Sequence, residues 1–194
     1  LSMTFSAVVA QAIDRPAPTT AGMSYAYDQT NNDGIELVYS CITTKGREGI
    51  DRFTVGSQAF SAELEFSIAV VAGTDVGNFG FRKVEALQAD LHDYDEMAGL
   101  FPISGNISIQ TIINNAATVT TDTTADWANT ETHALKVLVD KAGAVTYKIN
   151  GAAPSTTAAF SFDIGEVVTP FLHFLQANAS QAGAFVLSKL TVES

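Results

Sequence analysis

Cysteine, cationic charge and long apolar runs are all scarce in this chain of 194 residues. Cys41 is the single cysteine, which excludes an intrachain disulfide and a cysteine-built zinc site. Its setting, Leu37-Val-Tyr-Ser-Cys-Ile42, reads as a strand with an inert, buried thiol. No apolar run reaches the roughly 18 residues of a membrane-spanning helix. Residues 3–12 end in Ala10-Gln11-Ala12 but lack a basic leader and a sufficient apolar stretch, so they are not read as a signal peptide. Lysine and arginine number 10 against 21 acids, for a net charge of −11. Phosphate backbones are bound by clustered cations that displace counterions. Here the cations are scattered, so neither nucleic acid nor an anionic membrane is expected as a partner.

Histidine and tryptophan are equally sparse. His92, His133 and His173 lie far apart without metal-ligand spacing. His173, in the apolar run Phe171-Leu-His-Phe-Leu175, reads as a core or interface histidine. Trp127 follows the polar stretch 120–126, which reads as a loop. Packing over a sandwich edge is favoured there over an exposed sugar platform, to which Tyr25, Tyr27, Tyr39, Tyr94 and Tyr147 would add. Ser40-Cys41 lacks a nucleophile motif, and no glycine-rich phosphate loop occurs.

What remains is abundant: hydrophobic residues at 46%, charged residues at only 16%, and many short alternating segments. A chain of this length buries roughly 70% of its unfolded surface and needs no staples. Residues 63–71 place Leu64, Phe66, Ile68 and Val70 on one face, the period of a half-buried strand. Residues 103–113 alternate through Ile103, Ile107, Ile109 and Thr111. Residues 133–140 place Leu135, Val137 and Val139 together, and 145–150 do the same with Val145, Tyr147 and Ile149. Asn31-Asn-Asp-Gly34, residues 73–77, residues 141–144 and Asn150-Gly151 supply turns, Asn-Gly being the signature of tight hairpins. Residues 167–175 are nearly all apolar, as in a central strand covered on both faces. An irregular step among Phe185, Leu187, Leu190 and Val192 predicts a bulge in the last strand. Regular short strands with turn residues between them argue for an all-β sandwich or barrel. For residues 83–97 a strand to about Leu87 followed by an acidic loop is preferred to an amphipathic helix. The chain divides into an N-terminal strand or arm with a proline-bearing linker (1–24) and one sandwich domain (25–194).

Candidate chemistry is thin. Glu63 and Glu65 share a strand face, as the two carboxylates of a glycosidase would. The solvated side of a half-buried strand is the preferred reading of the pair. Asp90, Asp93, Asp95 and Glu96, or Asp28, Asn31, Asn32 and Asp33, offer oxygens of the kind calcium takes, but neither set has a known loop spacing. Both read as solvated loops. No catalytic, cofactor-binding or metal-ligating residue is assigned, and no cofactor is expected.

The order His133-x-Leu-x-Val-x-Val-Asp140, Gly143-x-Val-x-Tyr-x-Ile-Asn-Gly151, Phe160-x-Phe162 and Val168-x-Pro-Phe171, with Asn78-Phe-Gly-Phe-Arg-Lys83 earlier, resembles concanavalin A-like lectin/glucanase (LamG-like) jelly rolls over roughly 100 residues. Glucanases of that superfamily carry Glu-x-Asp-x-x-Glu on one strand. Glu63-Leu-Glu-Phe-Ser-Ile68 departs from it, so the chain is expected not to be an enzyme. Thr130-Glu-Thr-His133 and Pro170-Phe-Leu-His-Phe-Leu175 further resemble domains of tailed-bacteriophage virion proteins. That resemblance implies a two-sheet antiparallel jelly roll with an N-terminal arm, located in the virion as a capsid decoration or appendage protein. Its partners would be the major capsid protein or another virion protein and further copies of itself, with a trimer expected. The alternative is a lectin-like carbohydrate-binding module with a glycan as partner; a polysaccharide hydrolase or lyase comes third.

Overall fold

The computed structural model describes residues 2–7, 17–20, 22–29, 33–42, 48–50, 52–71, 77–86, 88, 90–176 and 181–194. They form two antiparallel sheets, with one short 3-10 turn, Leu91–Asp93, as the helical element among them. The nine-stranded sheet runs β1 (Ser2–Ala7), β4 (Asp33–Ile42), β14 (Val167–Gln176), β8 (Gly77–Lys83), β9 (Met97–Ile103), β10 (Asn106–Ile112), β11 (Val119–Asp126). Beside that path, β5 (Glu48–Ile50) pairs with β4, and β6 (Phe53–Thr54) pairs with β14. The six-stranded sheet runs β13 (Val145–Ile149), β12 (Thr132–Val139), β7 (Phe60–Ile68), β15 (Gln181–Glu193), β3 (Gly22–Gln29), β2 (Ala17–Thr19). The chain passes repeatedly from one sheet to the other, the connectivity of a jelly-roll sandwich.

Period-two alternation decides what lies between the sheets. Leu64, Phe66 and Ile68 of β7 and Leu135, Val137 and Val139 of β12 meet Phe79 and Phe81 of β8, Leu100 of β9 and Ile107 and Ile109 of β10 in one core. Each such side chain stabilises the fold by about 1.5–3 kcal/mol through burial. Aromatic pairs seal the ends: Phe53, Phe60 and Phe81 at one, Phe66 with Trp127 at 4.5 Å at the other. Val70, past the end of β7, is exposed rather than inward.

Several expectations need correction. Residues 120–126 are strand β11, not a loop. Its Thr-rich sequence lacks apolar alternation because it is an edge strand with one mostly solvated face. Residues 97–103 are also a strand, hidden by Gly99 and Pro102, and turn into β10 through Ser104-Gly105, whose φ values of 50° and 92° suit a two-residue hairpin. Strand β8 stops at Lys83 instead of about Leu87, and a single 3-10 turn follows in place of a plain loop. Leu87 itself, Asn31-Asn32 and residues 72–76 lie outside the described residues. Asn150-Gly151 forms the expected turn (φ 51° and 82°). The irregular step in β15 is a register shift against β7 between Leu187 and Lys189. Strand β14 is central, flanked by β4 and β8 and buried on both faces from Val168 to His173.

Candidate functional site on the outer face of the nine-stranded sheet

The faces turned away from the core differ between the sheets. On the six-stranded sheet, Glu63 accepts from Lys189 at 2.8 Å and lies 3.6 Å from Lys136, which also reaches Glu193 at 3.3 Å. The Lys189 hydrogen bond, outweighing the opposing effect of burial, holds Glu63 below the usual carboxylate range, with the charges of Lys189 and Lys136 assisting. Glu63 therefore sits in a surface ion-pair ladder with Glu65 as its outward neighbour two positions on.

The outer face of the nine-stranded sheet is buried instead. Pairing sets Arg82 beside Thr169, Gly80 beside Phe171, and Asn78 beside His173 across β8 and β14. On the other flank Gly80 pairs with Gly99, and Gly99 with Gln110. Asn78, Arg82, Gln110, Thr169 and His173 are all buried although they occupy positions a half-buried strand would expose. Cover at one end comes from the segment 90–95. Its Leu91 and Tyr94 pack with Met97, Ile112 and Phe171 in a second small core. Arg82 lies over Tyr94 at 4.8 Å and over Phe171 at 5.8 Å, a cation–π arrangement, and donates to the carbonyls of Lys83 and Glu85. Tyr94 also stands edge-on to His173 at 6.2 Å.

Beyond this aromatic clamp several polar atoms lack partners. Asn78 reaches across the side-chain-free space above Gly99 and donates Nδ2 to the Gln110 carbonyl at 3.3 Å, which orients its carboxamide. A Cβ at Gly99 would fall 1.8 Å from Asn78 Oδ1, so the missing side chain makes room for the amide. Asn78 Oδ1, Gln110 Oε1 and both ring nitrogens of His173 are buried without a hydrogen-bond partner among the described residues. Native interiors pair nearly all such groups. Burial, with the nearby Arg82 and His92, pushes the His173 pKa down to about 4 against the pull of Asp90, so the ring is neutral at pH 7.

The remaining candidates from the sequence are dispersed. Trp127 is buried, donates Nε1 to the Glu131 carbonyl at 3.1 Å and stacks on His133 at 4.4 Å, so it is packing and not a platform. Tyr94 and Tyr147 are buried too, and the side chains of Tyr25, Tyr27 and Tyr39 lie outside the described residues. Asp90 caps the 3-10 turn through the His92 amide, Asp95 pairs with Lys83, and Asp93 is exposed. Glu96 is buried. Burial, then a hydrogen bond with Glu166 and the charges of Glu166 and Asp163, push its pKa up to about 7. No three His, Cys, Asp or Glu side chains among the described residues group as metal ligands. The set Asp28, Asn31, Asn32 and Asp33 lies outside the described side chains, as does Cys41.

Sequence reasoning missed Asn78, Arg82 and Gln110 because polar alternates on a strand read as solvated. A signal was present. A strand apolar on both faces, such as β14, needs cover on its outer side, and the same cover buries the outward residues of its neighbours.

No protein-family model matches the chain, and no curated protein does. Solved structures do. An alginate lyase from Pseudomonas aeruginosa superposes with a TM-score of 0.59 at 14% identity, covering 94% of this chain and 87% of that one. An alginate lyase from Corynebacterium gives 0.58 at 17%, covering 89% and 76%. A carbohydrate-binding module from Bacillus subtilis gives 0.54 at 12%, covering 98% and 95%. At these identities the likeness is one of fold, and it agrees with the concanavalin A-like part of the resemblance. The bacteriophage part finds no support in these matches. The expectation that the chain is not an enzyme is overturned as drawn. It rested on the missing glucanase carboxylates, whereas alginate lyases share this sandwich and other chemistry can be seated on it.

Proposed function

We propose that this domain recognises carbohydrate through the outer face of its nine-stranded sheet. The observation that carries the reading is the row His173, Asn78, Gln110, buried, uncharged and rich in unpartnered acceptors. Sugar hydroxyls supply the hydrogen bonds such a row lacks. The fold shared with a carbohydrate-binding module and with alginate lyases supports the same reading. Affinity electrophoresis of the whole chain against a panel of neutral and uronate polysaccharides tests it: retardation by at least one is expected, and silence across the panel sinks it. Viscosity of the same mixtures reports turnover, with a fall placing the domain among polysaccharide-cleaving proteins.

A second proposal, a virion decoration protein assembling as an oligomer on the capsid, rests on the motif resemblance and on one structural feature. Strand β1 forms the margin of the nine-stranded sheet, and its far side is unpaired among the described residues. Such an edge is a template for strand addition by a neighbour. Deleting residues 1–20 is expected to abolish incorporation into particles while leaving a folded sandwich, and undiminished incorporation would count against it.

A further inference from the structure

Resting on the carbohydrate reading, we infer that this row selects hydroxyl-bearing, uncharged sugar residues and rejects uronates. The argument is an inventory of free atoms. Asn78 is fixed with its Nδ2 on the Gln110 carbonyl, so flipping the amide would set oxygen against oxygen, and Oδ1 is its unpartnered atom. Gln110 Nε2 lies 3.5 Å from Thr120 Oγ1, which leaves Oε1 as its free atom. His173, neutral, offers one donor and one acceptor. The atoms without any partner are therefore two carboxamide oxygens and the two ring nitrogens of a neutral imidazole, beside the second N–H of each carboxamide, with no formal charge. Hydroxyl groups donate and accept, so they match both kinds of site. A carboxylate is acceptor-only and would leave both carboxamide oxygens unmatched.

Arg82 is held between Tyr94 and Phe171, with one guanidinium nitrogen on two backbone carbonyls. The row crosses β14, β8, β9 and β10, about 14 Å at a strand spacing of about 4.8 Å. Gly80 and Gly99 face each other between its ends, and neither has room for a Cβ. Because His173 and Asn78 are fully buried and Gln110 nearly so, a ligand reaches them only by displacing groups that now lie over them, Tyr94 beside His173 among them.

If these polar atoms serve a ligand, they burden the empty fold. Replacing them with apolar groups of similar shape should then raise stability while removing binding, since a buried unpaired group carries its full desolvation penalty. The experiment compares wild type, His173→Phe and Gln110→Met by thermal melting and by calorimetric titration with cellohexaose, mannohexaose and hexamers of mannuronate and galacturonate. The inference expects a neutral hexamer to bind at least about tenfold more tightly than either uronate, affinity at least about tenfold lower in both variants, and Tm higher by about 2–4 °C in at least one. Tighter binding of a uronate hexamer that the variants abolish overturns the inference and leaves carbohydrate recognition standing. So does binding that neither variant alters, which places the sugar elsewhere. A fall in Tm in both variants shows the row to be structural and also overturns it. Absence of binding to all four hexamers, and to the polysaccharides above, overturns both readings together.

Discussion

On the six-stranded sheet the outward residues of neighbouring strands, Glu63, Lys136, Lys189 and Glu193, lie at the surface and pair with one another. On the nine-stranded sheet the equivalent positions hold Asn78, Arg82, Gln110 and His173, which are buried. The strands alternate in the same way on both sides. The difference lies in what crosses the outer face: the segment 90–95 folds onto the nine-stranded sheet, placing Leu91 and Tyr94 against Met97, Ile112 and Phe171. A polar residue under such a cover gains electrostatic weight, because water no longer competes for it. It also becomes costly if no partner arrives.

The largest expected effect comes from the close approach of β8 and β9. In Gly99→Ala the new Cβ would meet Asn78 Oδ1 at 1.8 Å and the Phe79 carbonyl at 2.3 Å. The strands must separate, and overpacking of this kind costs about 3 kcal/mol. Chemical denaturation should show that loss, while Gly151→Ala, at a turn with nothing within 4 Å, should lose about 1 kcal/mol through its positive φ alone. Equal losses would break the comparison.

A middle effect belongs to Glu96, beside the same covered face. Its folded-state pKa of about 7 lies above the ordinary 4.5. Its contribution to stability is therefore fully present below pH 4.5 and is lost as pH rises through 7. In Glu96→Gln the neutral form is permanent. At pH 8 the variant should be more stable than wild type by on the order of 1–2 kcal/mol, and the two should converge near pH 4.5. Parallel pH profiles from urea melts would refute this.

The smallest effect is reserved for the solvated ladder. Lys136→Met should change stability by about 0.5 kcal/mol or less, and the change should fade in high salt, as for exposed ion pairs generally. A loss comparable to that at Gly99 would mean that the two outer faces are not different after all.

Legibility followed cover in the same way. Strands β7, β12 and β13 were plain in the sequence because one face packs on the core and the other meets water, giving clean alternation at Leu64-Phe66-Ile68, Leu135-Val137-Val139 and Val145-Tyr147-Ile149. Strand β11 was lost because Thr and Asp dominate an edge. Strand β9 was lost because burial on both faces erased its alternation and Pro102 argued against a strand. Trp127 was rightly favoured as packing, while His133 proved to be its stacking partner and a link through Asn150 to the following turn. Asn78 and Gln110 were not singled out, since nothing in the pattern of their own strands marks them as covered.

The sequence by itself determined the class of fold, the inward residues of the regular strands and the turn at Asn150-Gly151, because period-two patterning and positive-φ residues are local properties of the chain. Only the tertiary structure decided which outward residues meet water. Alternation assigns a side chain to one face of its own sheet and carries no information about what is later laid across that face. His173, Asn78 and Gln110 come from strands far apart in sequence, and their shared burial without partners exists only once β14, β8, β9 and β10 lie side by side.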